Sequence, residues 1–211
     1  MNRYTTPNFH SSAVVTIDTQ CDTLDGQPLE IPGTSAALPK IKKILDVYRQ
    51  NKMPIVHIVR IYKRDGSNVD LCRKEAVENG AKILAEGSPG SELASEMFHS
   101  DVKLDPERLL SGQIQEIEKN EVIIYKPRWG AFYQTPLASH LSHLKVDTLV
   151  FVGCNFPNCP RTSMYEASER DFKVVLVEDA LSGLYEKGKE EMENIGVHVT
   201  TAKAVAEAVL S

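Results

Sequence analysis

Three residues far apart in this chain have side chains suited to covalent chemistry: Asp18, Lys126 and Cys159. Each stands where an apolar, strand-like run ends. Residues 13–18 close on an acid and residues 121–126 close on a base. Residues 148–152 run into the turn Gly153-Cys154-Asn155-Phe156-Pro157-Asn158-Cys159-Pro160. A helix is expected to open at Cys159. A helix N-terminus offers unpaired N–H groups and the positive end of the helix dipole, which biases a thiol there toward thiolate. Pro160 suits the first helical turn, where a missing N–H is no loss.

Brought together, these groups would perform acyl transfer. The carboxylate takes the thiol proton and the ammonium favours the thiolate. The thiolate attacks an amide or similar carbonyl and forms a thioester. Protonated Asp18 returns its proton to the leaving amine, and the same carboxylate then activates the water that releases the acid. The oxyanion needs fixed donors, for which the backbone N–H groups of Asn155 and Cys159 are the candidates. Arg60, Arg128 and Arg161 are candidates to hold a substrate carboxylate, against the alternative that each pairs with a surface acid. Trp129, Phe132 and Phe156 are candidate pocket walls, against ordinary core packing. Cys154 reads as a buried structural thiol, and His57, between apolar neighbours, as a satisfied core histidine.

The elements that must position these groups alternate. Leu38, Ile41, Ile44, Leu45 and Tyr48 recur at helical spacing and predict a helix over 38–51. Further helices are expected over 136–145, 160–172, 186–195 and 204–210, with strands over 54–62, 173–177 and 198–202. Apolar strands separated by helices predict an α/β fold: a three-layer, Rossmann-like parallel sheet with helices on both faces. Functional groups in such sheets gather beyond the C-terminal strand ends, where Asp18, Lys126 and the cysteine turn fall. Residues 63–119 break the pattern with many glycines and charges. They read as a long surface excursion with short helices over 91–98 and 106–118, either roofing the site or making a subunit contact.

A length of 211 residues suits one domain, 1–211. A net charge of −5 without a basic stripe argues against nucleic acid as a partner and leaves a small-molecule substrate. Residues 1–12 lack the apolar core of a signal peptide, and no apolar run reaches membrane-spanning length. The four cysteines show neither CxxC nor zinc spacing and read as free thiols in a reducing cytoplasm. No GxGxxG follows the first strand and no P-loop is present, which disfavours a nucleotide-binding dehydrogenase. No cofactor is expected.

From residue 13 to 202 the chain resembles the isochorismatase-like cysteine hydrolases. The resemblance rests on Asp18-Thr19-Gln20, Lys126-Pro127-Arg128-Trp129-Gly130-Ala131-Phe132, Gly153 to Cys159 followed by Ala167, Asp179-Ala180, and Pro89-Gly90-Ser91-Glu92-Leu93. It implies a six-stranded parallel sheet, an Asp18/Lys126/Cys159 triad and a homo-oligomer, dimer or tetramer. It also implies a cis peptide at Cys154–Asn155 that aims the Asn155 amide into the oxyanion hole. The nicotinamidase branch of the family binds a metal through Asp-x-His after the second strand. Here that place holds Arg60-Ile61-Tyr62-Lys63, so no metal is expected. Gly130 stands where many members have Ser, and Pro160 where many have Val. Cys159 favours amide or ureido cleavage over isochorismate-type vinyl-ether hydrolysis, in which Asp18 would be the acid and Cys159 dispensable. A catalytically silent oligomeric binding protein is the third reading.

Overall fold

Strand β1 (Ser12–Ile17), apolar but for Ser12 and Thr16, is buried along its whole length, as the centre of a sheet covered on both faces requires. The computed structural model describes residues 2–211. Around β1 lie β2 (Ile55–Val59), β4 (Glu121–Tyr125), β5 (Thr148–Gly153), β6 (Lys173–Leu181) and β7 (His198–Thr200), all parallel. The sheet has seven strands rather than six, in the order β3-β4-β2-β1-β5-β6-β7. The added strand, β3 (Gln115–Glu118), is antiparallel to β4 and caps one edge. Its residues alternate between half-buried and exposed, so its side facing away from the core is polar.

Side chains alternate across β1 and divide the core. Val14 joins one cluster with α1 (Thr34–Gln50) and α7 (Ala202–Leu210). Ala13, Val15 and Ile17 join the other, beneath α4 (Leu137–Leu144), α5 (Cys159–Ser168) and α6 (Glu186–Asn194). The three expected layers are therefore present.

The excursion differs in detail from its expected form. It contains α2 (Leu71–Glu78), which carries no buried residue and so has no apolar stripe to read. The helix expected over 91–98 is replaced by two short 3-10 turns, Pro89–Ser91 and Ser95–Met97. That expected over 106–118 shrinks to α3 (Pro106–Leu110) before the chain turns into β3. Asp105 caps α3 by accepting from the Arg108 N–H at 3.0 Å.

Candidate active site

The chain leaves β1 toward β2 and β4 on one side and toward β5, β6 and β7 on the other. The gap this reversal opens beyond the C-terminal ends of β1 and β5 is where an open α/β sheet binds ligands. Asp18 is the first residue past β1, with φ 50. Its N–H donates to the Ile58 carbonyl at 3.0 Å, and its own carbonyl accepts from Gln20 N–H at 2.9 Å and Thr23 Oγ1 at 2.9 Å. These bonds fix the direction of the carboxylate. On β5, Gly153 has φ +120, and a Cβ there would collide with the Ile17 carbonyl. Only glycine lets the two strand ends approach so closely. The following peptide, Cys154–Asn155, is cis, and α5 then opens at Cys159 with Pro160 in its first turn.

The three sequence-identified groups meet. Lys126, fully buried, places Nζ 2.9 Å from Asp18 Oδ2 and donates to Cys159 Sγ at 3.2 Å. A third bond runs from Nζ to the Arg128 carbonyl at 3.3 Å. The other carboxylate oxygen, Asp18 Oδ1, is buried and has no hydrogen-bond partner. Among the described residues, neither the Asn155 nor the Cys159 N–H donates to another protein group, which leaves both for a ligand.

The electrostatics correct one expectation. Burial raises the Asp18 pKa, but the nearby Lys126 and Arg60 charges outweigh it and hold the carboxyl below its usual range. Burial and the Asp18 charge push the Cys159 thiol up to about 11, against the pull of Lys126 and Arg60. The resting site is thus carboxylate, ammonium and neutral thiol. The helix N-terminus does not produce a standing thiolate, because the sulfur is buried beside a carboxylate that is already ionised.

The site lies in a narrow pocket with a free volume of only about 10 Å³. A larger groove of about 350 Å³, lined by Arg49, Phe98 and Lys119 among others, lies at the opposite end of β2 and β4 and touches none of the triad. Of the expected substrate-binding residues, Arg60 and Trp129 line the narrow pocket. The other four lie elsewhere. Arg128 bonds the carbonyls of Pro127 at 2.6 Å and Asn68 at 3.2 Å. Phe132 is core, 6.0 Å from the Phe172 ring, and Phe156 is core, 5.6 Å from the Tyr185 ring. Arg161 pairs with Glu191 and donates to Tyr185 on the outer surface. An arginine or aromatic near a nucleophile in sequence can face either side of its turn, and here these four face away.

Sequence reasoning missed Thr23, Leu29, Ile31, Arg73, Leu84 and Asn158, which also line the pocket. The signal for Arg73 was Asp70, a helix-start residue three positions earlier. Two motif residues prove structural. Asp179 caps α7 by accepting from Ala202 N–H at 2.7 Å. Gly130 makes room for Glu166, whose carboxylate would overlap a Cβ at 130 and which accepts from Phe132 N–H at 2.8 Å.

Residues 12–204 match the family model described as the isochorismatase domain. The chain belongs to the isochorismatase family. A relative from Arabidopsis thaliana, described as a probable inactive nicotinamidase, is 25% identical over 92% of this chain and 93% of its own. N-carbamoylsarcosine amidase of an Arthrobacter species is 23% identical, over 80% of this chain and 58% of its own. The crystal structure of an isochorismatase family protein from Desulfovibrio vulgaris superposes with a TM-score of 0.80 at 26% identity, covering 96% of this chain and 100% of that one. The cis peptide and the close Asp18–Lys126–Cys159 grouping are thus seen in an isochorismatase-family chain.

Proposed function

We propose that this isochorismatase-family chain is a hydrolase that cleaves a C–N amide or ureido bond of a small anionic molecule. Cys159 is the nucleophile, Asp18 the general acid and base, and Lys126 the electrostatic partner. The observation that carries the reading is the Lys126 ammonium set between Asp18 Oδ2 and Cys159 Sγ, with Asp18 Oδ1 left unpaired beside them. The amidase among the relatives supports the bond type. The reading assigns no step to a metal, because Arg60, Ile61, Tyr62 and Lys63 follow β2 where a metal-binding relative would place its ligands.

Substrate enters with its carbonyl over the sulfur and its oxygen toward the Asn155 and Cys159 N–H groups. Asp18 Oδ1 takes the thiol proton as the S–C bond forms, so thiolate is generated at the moment of attack. Lys126 stabilises the negative charge passing between carboxylate and sulfur. The C–N bond breaks, the amine leaves with the proton from Asp18, and a thioester remains. Water, deprotonated by Asp18, attacks the thioester; the acid leaves and the thiol is restored. The same reading carries a homo-oligomer, dimer or tetramer, which light scattering would measure.

The test is a panel of small amido and ureido acids, assayed for ammonia or amine release and for a covalent adduct by intact-mass spectrometry. Turnover is expected from the wild type. Cys159→Ala should reduce it at least about 10³-fold without lowering the thermal midpoint. Undiminished turnover in Cys159→Ala would remove the thioester route, and retained hydrolysis of isochorismate would favour vinyl-ether chemistry. The Arabidopsis relative favours a second reading, a silent binding protein. In that case ligands stabilise the fold, but no product or adduct forms.

A further inference from the structure

We propose that Arg73, carried into the pocket by α2, is the cation that holds the substrate carboxylate and so determines specificity. The inference rests on the hydrolase reading above and names what that site selects.

The pocket's charges do not balance without a ligand. Its lining includes Asp18, Arg60 and Arg73. Asp18 is neutralised by Lys126 at 2.9 Å, and Arg60 by Asp70 at 2.6 Å. Arg73 has only the same Asp70 oxygen, at 3.6 Å, and that oxygen already receives Arg60 and the Tyr62 hydroxyl at 2.6 Å. Two guanidinium groups therefore share one carboxylate, and one positive charge is left over.

The hydrogen bonds point to Arg73 as the available group. Its Nη1 donates to Tyr62 Oη at 2.9 Å. Among the described residues its Nε and Nη2 have no protein partner. That edge carries two parallel N–H groups, the arrangement that grips a carboxylate side-on. Arg60 cannot offer the same. Its Nη1 is bonded to Asp70 and the Pro127 carbonyl and its Nη2 to the Arg128 carbonyl; among the described residues only its Nε lacks a partner, and the residue is 1% exposed, so no paired edge is open to a ligand. Trp129 lies beside both guanidinium groups, 5.4 Å from Arg73 and 5.7 Å from Arg60, and holds Arg73 in place by stacking and cation–π attraction. Arg73 is one-fifth exposed whereas Cys159 is buried, so the carboxylate docks at the mouth while the scissile bond reaches the sulfur. The matching ligand is a small, compact amide or ureido acid with its carboxylate close to the carbonyl. Leu29, Ile31 and Leu84 add apolar walls to the pocket.

Two alkylating reagents of nearly equal size test this, because only one carries a carboxylate. Iodoacetate and iodoacetamide each transfer a two-carbon group to sulfur with loss of iodide. The rates at Cys159 are read by peptide mass spectrometry, and mercaptoethanol in the same buffer gives the intrinsic ratio of the two reagents. In the wild type, Cys159 should favour iodoacetate over that intrinsic ratio. Arg73→Gln should cut the iodoacetate-to-iodoacetamide ratio by about tenfold, the scale of one unscreened charge a few ångströms away. Arg73→Lys, which keeps the charge, should retain most of the preference. Using a ratio cancels any general loosening of the pocket. A wild-type ratio equal to that of mercaptoethanol, or one that Arg73→Gln leaves unmoved, overturns the inference and leaves the nucleophile standing. Equal loss in Arg73→Lys and Arg73→Gln also overturns it. Cys159 inert to both reagents even as the pH is raised toward about 11, where its thiol ionises, overturns the nucleophile reading and this inference with it.

Discussion

The Cys159 thiol sits between an ammonium that draws its proton away and a carboxylate that holds it on. Burial sides with the carboxylate, and the thiol is pushed up to about 11. Alkylation of Cys159 by iodoacetamide should therefore rise with pH toward a midpoint near that value. The two neighbours should move the midpoint in opposite directions. Asp18→Asn removes the negative charge and should lower it; Lys126→Met removes the positive charge and should raise it. A wild-type midpoint at or below the ordinary thiol value would mean that thiolate is present at rest. Asp18→Asn has a second consequence, since it makes the sulfur easier to ionise while removing the group to which the proposed mechanism gives the proton. It should alkylate faster near neutral pH and still lose turnover. The three side chains that meet were legible because each closes an apolar run, and a parallel sheet brings such ends to one edge. The protonation of the thiol was not, because it depends on burial and on the identity of its nearest charge. Phe132 and Phe156 misled for a related reason: a turn does not announce which side faces the ligand.

Four core elements are tied by one buried polar network at the end of the sheet remote from the site. Glu121, at the start of β4, accepts from Arg49 on α1 at 2.7 and 2.9 Å, and lies 2.8 Å from His57 Nε2 on β2. His57 Nδ1 meets Thr16 Oγ1 on β1 at 2.9 Å. Burial keeps His57 neutral below its usual pKa, so Nε2–H donates to Glu121 and Nδ1 accepts from Thr16. Burial would raise Glu121, but hydrogen bonds from Arg49 and His57 outweigh it and hold the carboxyl at about 2, against an ordinary 4.5. Because that pKa is lower in the folded state, the unfolded chain binds the proton first on acidification. The stability is complete above about 4.5 and is lost as pH falls toward about 2, on the order of 3 kcal/mol in all. His57 acts in the same sense from below its ordinary 6.5, since unfolding frees it to take a proton. Urea midpoints at neutral and acid pH should show a steep loss in the wild type. Glu121→Gln should be less stable at neutral pH by about 2–4 kcal/mol and lose less on acidification. Equal acid sensitivity in both proteins would exclude Glu121 as its source. His57 was readable as a core histidine from its apolar neighbours, but Glu121 gave no sign of being buried. Elements with one-sided apolar patterns were legible throughout. Those without them, α2 and β3, were not, because α2 buries nothing and β3 is a half-exposed edge strand.

Across the whole molecule the excursion is held unevenly. Its second half is built into the fold: Leu93, Ala94, Met97, Leu104 and Leu109 belong to the same core cluster as α1 and α7. Fully buried Gln20, just beyond β1, bonds the Arg60 carbonyl at 2.8 Å and the Ser91 carbonyl at 2.5 Å, and accepts from Arg60 N–H at 2.8 Å. Asp22 accepts from Leu84 N–H at 2.6 Å, and Cys21 N–H donates to the Glu92 carbonyl at 2.8 Å. The first half rests on the small cluster of Tyr62, Val69, Ile83 and Leu84, and on the polar contacts of Asp70 and Arg73. Beyond its own backbone bonds, α2 is held among the described residues only by the partly buried Val77 and by the contacts of Arg73 with Tyr62, Asp70 and Trp129, so it opens at small free-energy cost. Hydrogen exchange should therefore divide the excursion. Amides of residues 73–79 should exchange through local opening, orders of magnitude faster than the β1 and β5 amides, while those of 84–97 exchange nearly as slowly as the sheet. If Arg73 grips a carboxylate, a bound amido acid should slow exchange in α2 more than anywhere else. The ligand would then join the one helix that lacks a core to the site it serves. Protection of α2 equal to that of β1 in the free protein would mean that the helix is held as firmly as the core, and that the arginine waits in a pocket already rigid.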